Sequence, residues 1–343
     1  MGSRFSYSNL EKEITKTNKE KLTVFHYNVF CRPISLFWDY QKQRCEQIIN
    51  KLSEKAFDKV DVVSLCELFD LECLHFFIKE LSSLGFKYHT KIVGSRFVHK
   101  KCVCSFYKCG SCRMVLCDGG IILFSRHRIV NTYEQTFDDI IGTDALVAKG
   151  FVYAKINKQE KYYHVIATHL QAWNTKEDQH TRTSELNTIN TFINNRLTSS
   201  LHEPLIIVGD LNVDYHTAKK QFIEVLDVLK CKSSYSNYQG MYTSDPENNS
   251  LVGRDGAKKP YKRELLDYIL YSTQHQTPTS SHCLILTDFK SVELCACVCI
   301  CTCCFKTDDL SDHFPVLCTF KFGNHIEFDD DDGLFKLDRK WIN

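Results

Sequence analysis

Pro204-Leu205-Ile206-Ile207-Val208 is an unbroken apolar run that ends in Gly209-Asp210-Leu211-Asn212. A run of this length reads as a strand buried on both faces, with the polar residues behind it at the rim of a sheet. The pattern recurs along the chain. Leu22 to Val29 carries Asn28, Val60 to Leu65 runs into Glu67, and Tyr163 to Ala167 leads into Thr168-His169-Leu170-Gln171-Ala172. Leu265 to Leu270 contains Asp267, and Ser311-Asp312-His313 opens another apolar stretch, Phe314 to Phe322. Carboxylates, two histidines and two asparagine amides delivered to one rim make an oxygen-rich site for a hard cation. That is the chemistry of phosphoester hydrolysis.

The segments between these strands have helical period. Cys45, Ile48, Ile49 and Leu52 fall at i, i+3, i+4, i+7, which predicts a helix over Gln41 to Leu52. Leu71 to Leu84 and Arg182 to Arg196 read as helices. Phe151 to Ile156 and Tyr162 to Thr168 read as a hairpin joined by residues 157–161, and Ile121 to Ser125 as a strand after the turn Cys117-Asp118-Gly119-Gly120. Strands that alternate with helices and also pair as hairpins predict an α+β fold of two mixed sheets face to face, flanked by helices. The expected organisation is a polar arm over residues 1–20, a catalytic domain over 21–323 with a cysteine-rich insert at 272–310, and an acidic tail over 324–343. The Asp329–Asp332 run reads as solvated.

Composition is that of an ordinary globular protein, with 43% apolar and 25% charged residues. The 43 basic and 42 acidic side chains give a net charge of +1. Nucleic-acid enzymes usually carry a basic excess, so no nucleic-acid partner is expected.

The order and spelling of these motifs resemble the metal-dependent endonuclease/exonuclease/phosphatase superfamily, and within it the neutral sphingomyelinases of the bacterial sphingomyelinase C type. The finer match rests on Lys149-Gly150-Phe151-Val152-Tyr153, His164 to Ala172, Leu266-Asp267-Tyr268-Ile269 and Ser311 to Val316, and the similarity runs from about residue 21 to 322. The resemblance implies the four-layer α/β/β/α sandwich of DNase I-like proteins. It also implies Mg2+ as cofactor, with Mn2+ or Co2+ as substitutes, and hydrolysis of sphingomyelin to ceramide and phosphocholine. A nuclease or inositol-phosphate phosphatase on the same site, and a catalytically silent membrane-binding module, are the alternatives.

The same resemblance assigns roles. Glu67 and Asn28 hold the metal, and a carboxylate at a strand end is better matched to a cation than to a lysine. His313 is expected as general base, its imidazole held near neutral pKa by a neighbouring carboxylate. Asp312 either orients an imidazole or touches the metal. Asp210 and Asn212, two apart, face one side if the strand continues through them. Asp210 then positions water or leaving group, and Asn212 contacts phosphate. His169 donates to a phosphoryl oxygen, and Asp267 supports a catalytic histidine or merely caps a strand. Trp173 offers an aromatic face to a choline headgroup, with simple packing as the other reading.

Eighteen cysteines are unusual, and they concentrate at Cys102–Cys117 and Cys295–Cys304. Cys102-x-Cys104 and Cys109-x-x-Cys112 approach a zinc pattern, but the gap between the pairs is short. The alternating Cys295, Cys297, Cys299, Cys301 and Cys303 read as a buried or membrane-facing strand, ahead of S-palmitoylation or a soft-metal cluster. The resembled enzymes carry an apolar hairpin here, which implies membrane contact through the insert. Residues 1–20 contain no apolar leader segment. The expectation is therefore a cytoplasmic protein with mostly reduced thiols, with peripheral membrane attachment through N-myristoylation at Gly2 a weaker reading and secretion left open.

Overall fold

The computed structural model describes residues 19–33, 40–95, 115–253, 261–295 and 306–323. The arm up to residue 18 with Gly2, the cysteines from 102 to 112 and from 297 to 304, and the acidic tail lie outside them.

Two six-stranded sheets form the centre. The first has the order β13 (Ser280–Ile285), β16 (Val316–Lys321), β1 (Lys21–Cys31), β2 (Val62–Leu68), β5 (Ile122–Ser125), β3 (Tyr88–His89). The second runs β11 (Cys231–Ser233), β12 (Asp267–Ser272), β10 (Leu205–Asp210), β9 (Lys161–His169), β8 (Gly150–Lys158), β6 (Arg128–Thr136). Two small pairs stand apart: β4 (Cys117–Asp118) with β7 (Val147–Ala148), and β14 (Lys290–Cys295) with β15 (Lys306–Asp309).

Alternation along β1 sets the layers. Phe25, Tyr27, Val29 and Cys31 face outward and pack on α1 (Gln41–Leu52) and α2 (Leu71–Ser83) through Cys45, Ile48, Leu52, Phe77 and Leu81. Leu22 and Val24 face inward and share a core with Val165, Val208 and Ile269 of the second sheet. That sheet's far face is covered by α3 (Lys176–Arg196) through Leu186, Ile189 and Phe192, and by α4 (Lys219–Leu229) through Phe222 and Val225. The result is an α/β/β/α sandwich, as the sequence pattern implied. Each fully buried Phe or Leu in these layers contributes about 1.5–3 kcal/mol.

Some elements differ from their sequence reading. The β8–β9 turn is tighter than five residues, because Gln159 and Glu160 both adopt positive φ and close a two-residue hairpin between Lys158 and Lys161. Helix α3 starts six residues early, at Lys176. Thr175 and Asp178 form a reciprocal capping box there, and the two polar turns it nucleates carry no apolar periodicity. The edge strand β6 is largely exposed, so its sequence lacks a core-facing alternation. No helix among the described residues is long and apolar enough to cross a membrane.

Candidate active site

The register of the second sheet places three polar residues in one row. His169 lies opposite Asp210 across the parallel β9–β10 pair, and Asp210 opposite Asp267 across the antiparallel β10–β12 pair. Gly209 permits this close approach, since a Cβ there would stand 2.0 Å from the Thr168 carbonyl oxygen. Asn212 does not extend the row. Strand β10 ends at Asp210, and Asn212 turns into left-handed backbone with φ 51°. Its N–H donates to Asp210 Oδ1 (3.0 Å) and its side-chain amide donates to the Leu170 carbonyl (3.0 Å). It reaches the cleft through an Asx-type turn and not through strand alternation.

The first sheet supplies the facing half. Asn28 continues the inward row of Leu22, Val24 and His26. Glu67 by alternation would share the outer face of Val63 and Leu65. Left-handed backbone at Phe30 (φ 49°) and Glu67 (φ 54°) and a register slip between Asn28 and Cys31 turn it inward. Asn28 Nδ2 then donates to Glu67 Oε1 (2.9 Å) and to Asp210 Oδ2 (3.2 Å). Holding non-glycine residues in this region costs on the order of 1–3 kcal/mol each. Two side chains fix the bulge. Arg44, fully buried, donates to the carbonyls of Val29, Phe30 and Leu310, and Ser311 Oγ donates to the Asn28 carbonyl (2.6 Å).

Across from the bulge, His313 Nδ1 lies 2.7 Å from Asp267 Oδ2, and His26 Nε2 lies 3.2 Å from Asp267 Oδ1. His26 is steadied in turn by Ser64 Oγ at 3.1 Å. Asp267 is therefore more than a strand cap, and it, not Asp312, orients the imidazole. His313 Nε2 is 3.9 Å from Asp210 Oδ2. Asp312 lines the cleft and accepts from Ser311 Oγ (3.2 Å). It stands outside two groups at this cleft whose ligand atoms lie within 4.8 Å of one another: Glu67, His169 and Asp210, and Asp210, Asp267 and His313.

The electrostatics are those of crowded, buried acids. Burial, with Asp312 and Asp210 nearby, pushes the Glu67 carboxyl up to about 7. Burial and Asp267 push Asp210 up to about 6. Burial would raise Asp267 as well, but the positive charge of His313 and hydrogen bonds from His26 and His313 hold it well below the carboxylate range. Burial works against charging His313. The carboxylates of Asp267, Asp210 and Asp312 outweigh it and raise this imidazole well above its ordinary value. Three acids act on the ring where the sequence suggested one.

His169 is the opposite case. Burial, Lys149 and His313 keep it neutral. Lys149 Nζ sits 3.3 Å from His169 Nε2, 2.6 Å from Asp144 Oδ2 and 2.9 Å from the Leu170 carbonyl. A donor at Nε2 assigns the ring proton to Nδ1, which is buried and has no partner among the described residues. Lys149, Asp144 and His26 carry no role in the sequence reading. Lys149 sits inside the quoted Lys149–Tyr153 motif and His26 inside an apolar strand, and neither context discloses an ionic neighbour. The cleft measures about 420 Å³ and is also lined by Phe30, Phe69 and Tyr261. Trp173 stands at this cleft with 52% of its surface exposed, so it is not packed in the core.

A model of the endonuclease/exonuclease/phosphatase family matches residues 25–313. The chain belongs to this family. Within it the chain is a bacterial sphingomyelinase-like member. It is 31% identical to sphingomyelinase C of Listeria ivanovii over 306 residues, 87% of this chain and 85% of the relative. It is 27% identical to a sphingomyelinase C of Bacillus cereus over 93% of this chain and 94% of that one. The crystal structure of SmcL superposes with a TM-score of 0.72 at 28% identity, covering 89% of this chain and all of that one. A variant beta toxin of Staphylococcus aureus with bound magnesium ions shares the fold, with a TM-score of 0.71 at 24% identity over 87% of this chain and 99% of that one. These relatives correct the cytoplasmic placement expected from the sequence. They are bacterial sphingomyelinases, which points to an extracellular location.

Proposed function

We propose that this chain is a Mg2+-dependent sphingomyelin phosphodiesterase that releases phosphocholine and leaves ceramide, with His313 as general base. The observation that carries the reading is the Asp267–His313 pair facing Asp210 across a cleft whose other wall is Glu67 and Asn28, in a chain similar to sphingomyelinase C along most of its length.

The donor set fits a hard divalent cation. Glu67, His169 and Asp210 converge, Asn28 Nδ2 bridges the two carboxylates, and burial with neighbouring acids pushes both carboxyls upward more than the charge of His313 lowers them. Glu67 and Asp210 would hold Mg2+, with Asn28 Nδ2 fixing the two carboxylates and Asp312 adding negative charge beside Glu67. The ion would supply Lewis-acid polarisation of a phosphoryl oxygen and stabilise the leaving alkoxide. It would also oppose the carboxylate field that keeps His313 protonated, which a general base requires.

The remaining roles belong to the chain itself. His313 takes a proton from the attacking water and Asp267 orients the ring while balancing its charge. Asp210 positions that water, and the Asn212 amide contacts phosphate. His169 Nδ1–H is a buried donor without a partner among the described residues, the group a phosphoryl oxygen would satisfy as negative charge builds. Trp173 meets the choline through its exposed face.

The hairpin β14–β15 is tied to the rim of the same cleft. Ser250 N–H donates to Asp309 Oδ2 (2.7 Å), and Val252 and Gly253 line the cleft just beyond. This supports membrane contact through the insert at 272–310.

The test is phosphocholine release from sphingomyelin vesicles, with phosphatidylcholine vesicles and a DNA duplex in parallel, each with Mg2+ and with EDTA. Mg2+-dependent release from sphingomyelin is expected. DNA cleavage in its place would move the chain to a nuclease reading, and silence on sphingomyelin would overturn the proposal.

A further inference from the structure

On the outer side of the first sheet, three cysteines from three separate elements converge: Cys31 at the end of β1, Cys45 in α1 and Cys73 in the first turn of α2. All three are buried, their sulfurs lie within 4.8 Å of one another, and the Cys31–Cys45 separation is 3.4 Å. We propose that Cys31, Cys45 and Cys73 form a binding site for a thiophilic metal ion of the Zn2+ and Cu+ class, separate from the active site.

The geometry suits such an ion. Thiolates about 2.3 Å from a metal stand roughly 3.8–4.0 Å apart in tetrahedral or trigonal arrangement, inside the spacing seen here. Soft thiolate donors select Zn2+ and Cu+ over the hard cations suited to Glu67 and Asp210. Burial raises the Cys31 thiol and the hydrogen-bonded neighbours of Cys45 leave it raised as well, and Arg44, in the same helix as Cys45, opposes this at all three sulfurs. Hydrogen bonds from Cys31 and Cys45 already hold the Cys73 sulfur well below the usual thiol range. Asp70, the N-cap of α2, accepts from the Cys73 N–H at 2.8 Å, which places a carboxylate beside Cys73.

Cysteine also packs as a small hydrophobe, and that is the competing account. It explains Cys231, a buried cysteine whose sulfur donates to the Leu229 carbonyl. It gives no reason for three sulfurs from β1, α1 and α2 to meet one another. The spacing 31, 45, 73 lacks any C-x-x-C pair, which hides the trio from a reading of the sequence. A metal here would join α1 and α2 to β1 one residue beyond Phe30, and so brace the bulge that turns Glu67 and holds Asn28.

The experiment uses the full chain, reduced and stripped with EDTA, loaded with Zn2+ or with Cu+ under anaerobic conditions, then desalted and its metal counted. Wild type should retain one tightly held equivalent more than Cys45→Ser and Cys73→Ser, while Cys231→Ser matches wild type. Other cysteines contribute equally to all variants and cancel. A Co2+-loaded wild type should show a thiolate charge-transfer band that these two variants lack. If the serine variants fail to fold, alkylation of wild type in mild denaturant, mapped by mass spectrometry, replaces them. Zn2+ should then slow labelling of Cys31, Cys45 and Cys73 together and leave Cys231 unaffected. Equal metal content across the folded variants, uniform labelling, or recovery of Cys31 and Cys45 as a native disulfide overturns the proposal.

Discussion

Asp267→Asn keeps the shape of a buried side chain and removes its charge. Oδ2 presents that charge to His313 Nδ1 at 2.7 Å and Oδ1 presents it to His26 Nε2 at 3.2 Å, in surroundings almost closed to solvent. Removing one partner of a buried ion pair costs about 3–5 kcal/mol, and the amide can still accept one hydrogen bond, so a loss of about 3 kcal/mol is expected. At roughly 2 °C per kcal/mol for a chain of this size, the thermal midpoint should fall by about 6 °C. The loss should depend on pH. His313 has a raised folded pKa, so its stabilisation is complete below the ordinary imidazole value of 6.5 and fades as pH rises through the folded value. Asp267 is depressed, so its stabilisation is complete above the ordinary 3.8 and fades as pH falls toward the folded value. The gap between wild type and variant should therefore be widest between pH 3.8 and 6.5 and narrow on either side. Turnover should drop about 10²- to 10⁴-fold, the usual scale for a base that loses its orienting carboxylate. Phosphocholine release and differential scanning calorimetry across pH measure both effects. A folded variant working within threefold of wild type would refute the role given to this pair.

Glu67→Gln should abolish Mg2+ activation while raising the metal-free thermal midpoint at pH 8, because a carboxyl pushed up to about 7 is least welcome in the fold when ionised. A lower midpoint would count against the burial argument. Protons compete with the cation for Glu67 and Asp210, so the Mg2+ concentration for half-maximal activity should rise roughly tenfold from pH 8 to pH 6. An unchanged value would place the ion elsewhere. Trp173→Ala should raise KM on sphingomyelin vesicles about 2- to 30-fold, the range of a cation–π contact. It should leave a soluble choline-free phosphodiester untouched, and an equal loss on both substrates would argue for a structural role.

The sheets were legible because buried strands announce themselves as apolar runs, and β1, β9 and β10 are buried on both faces. The edge strand β6 and the capped start of α3 were not, since exposed and polar turns carry no periodic signal. The site was legible as a set of strand-end residues, and Asn28, Glu67, His169, Asp210, Asp267 and His313 do meet. How they meet was not. Alternation sends Glu67 outward and carries Asn212 along a strand, and left-handed backbone at both residues cancels each inference. The protonation of His313 was equally hidden, because it depends on acids contributed by β10, β12 and the loop before β16 that no local window contains.

The pairing of β1 with β16 has a consequence for how the protein is made. The strand bearing Asn28 leaves the ribosome first, yet its neighbour in the sheet is among the last described residues to emerge, and His313 comes only three residues before that neighbour. Arg44 waits likewise for the carbonyl of Leu310. A nascent chain halted anywhere before this point has an unfilled slot beside β1 in its first sheet and lacks His313. Contacts of such long sequence separation close late and slowly. Hydrolytic competence should therefore arrive in one step after translation, and interrupted products should be inert rather than partly active.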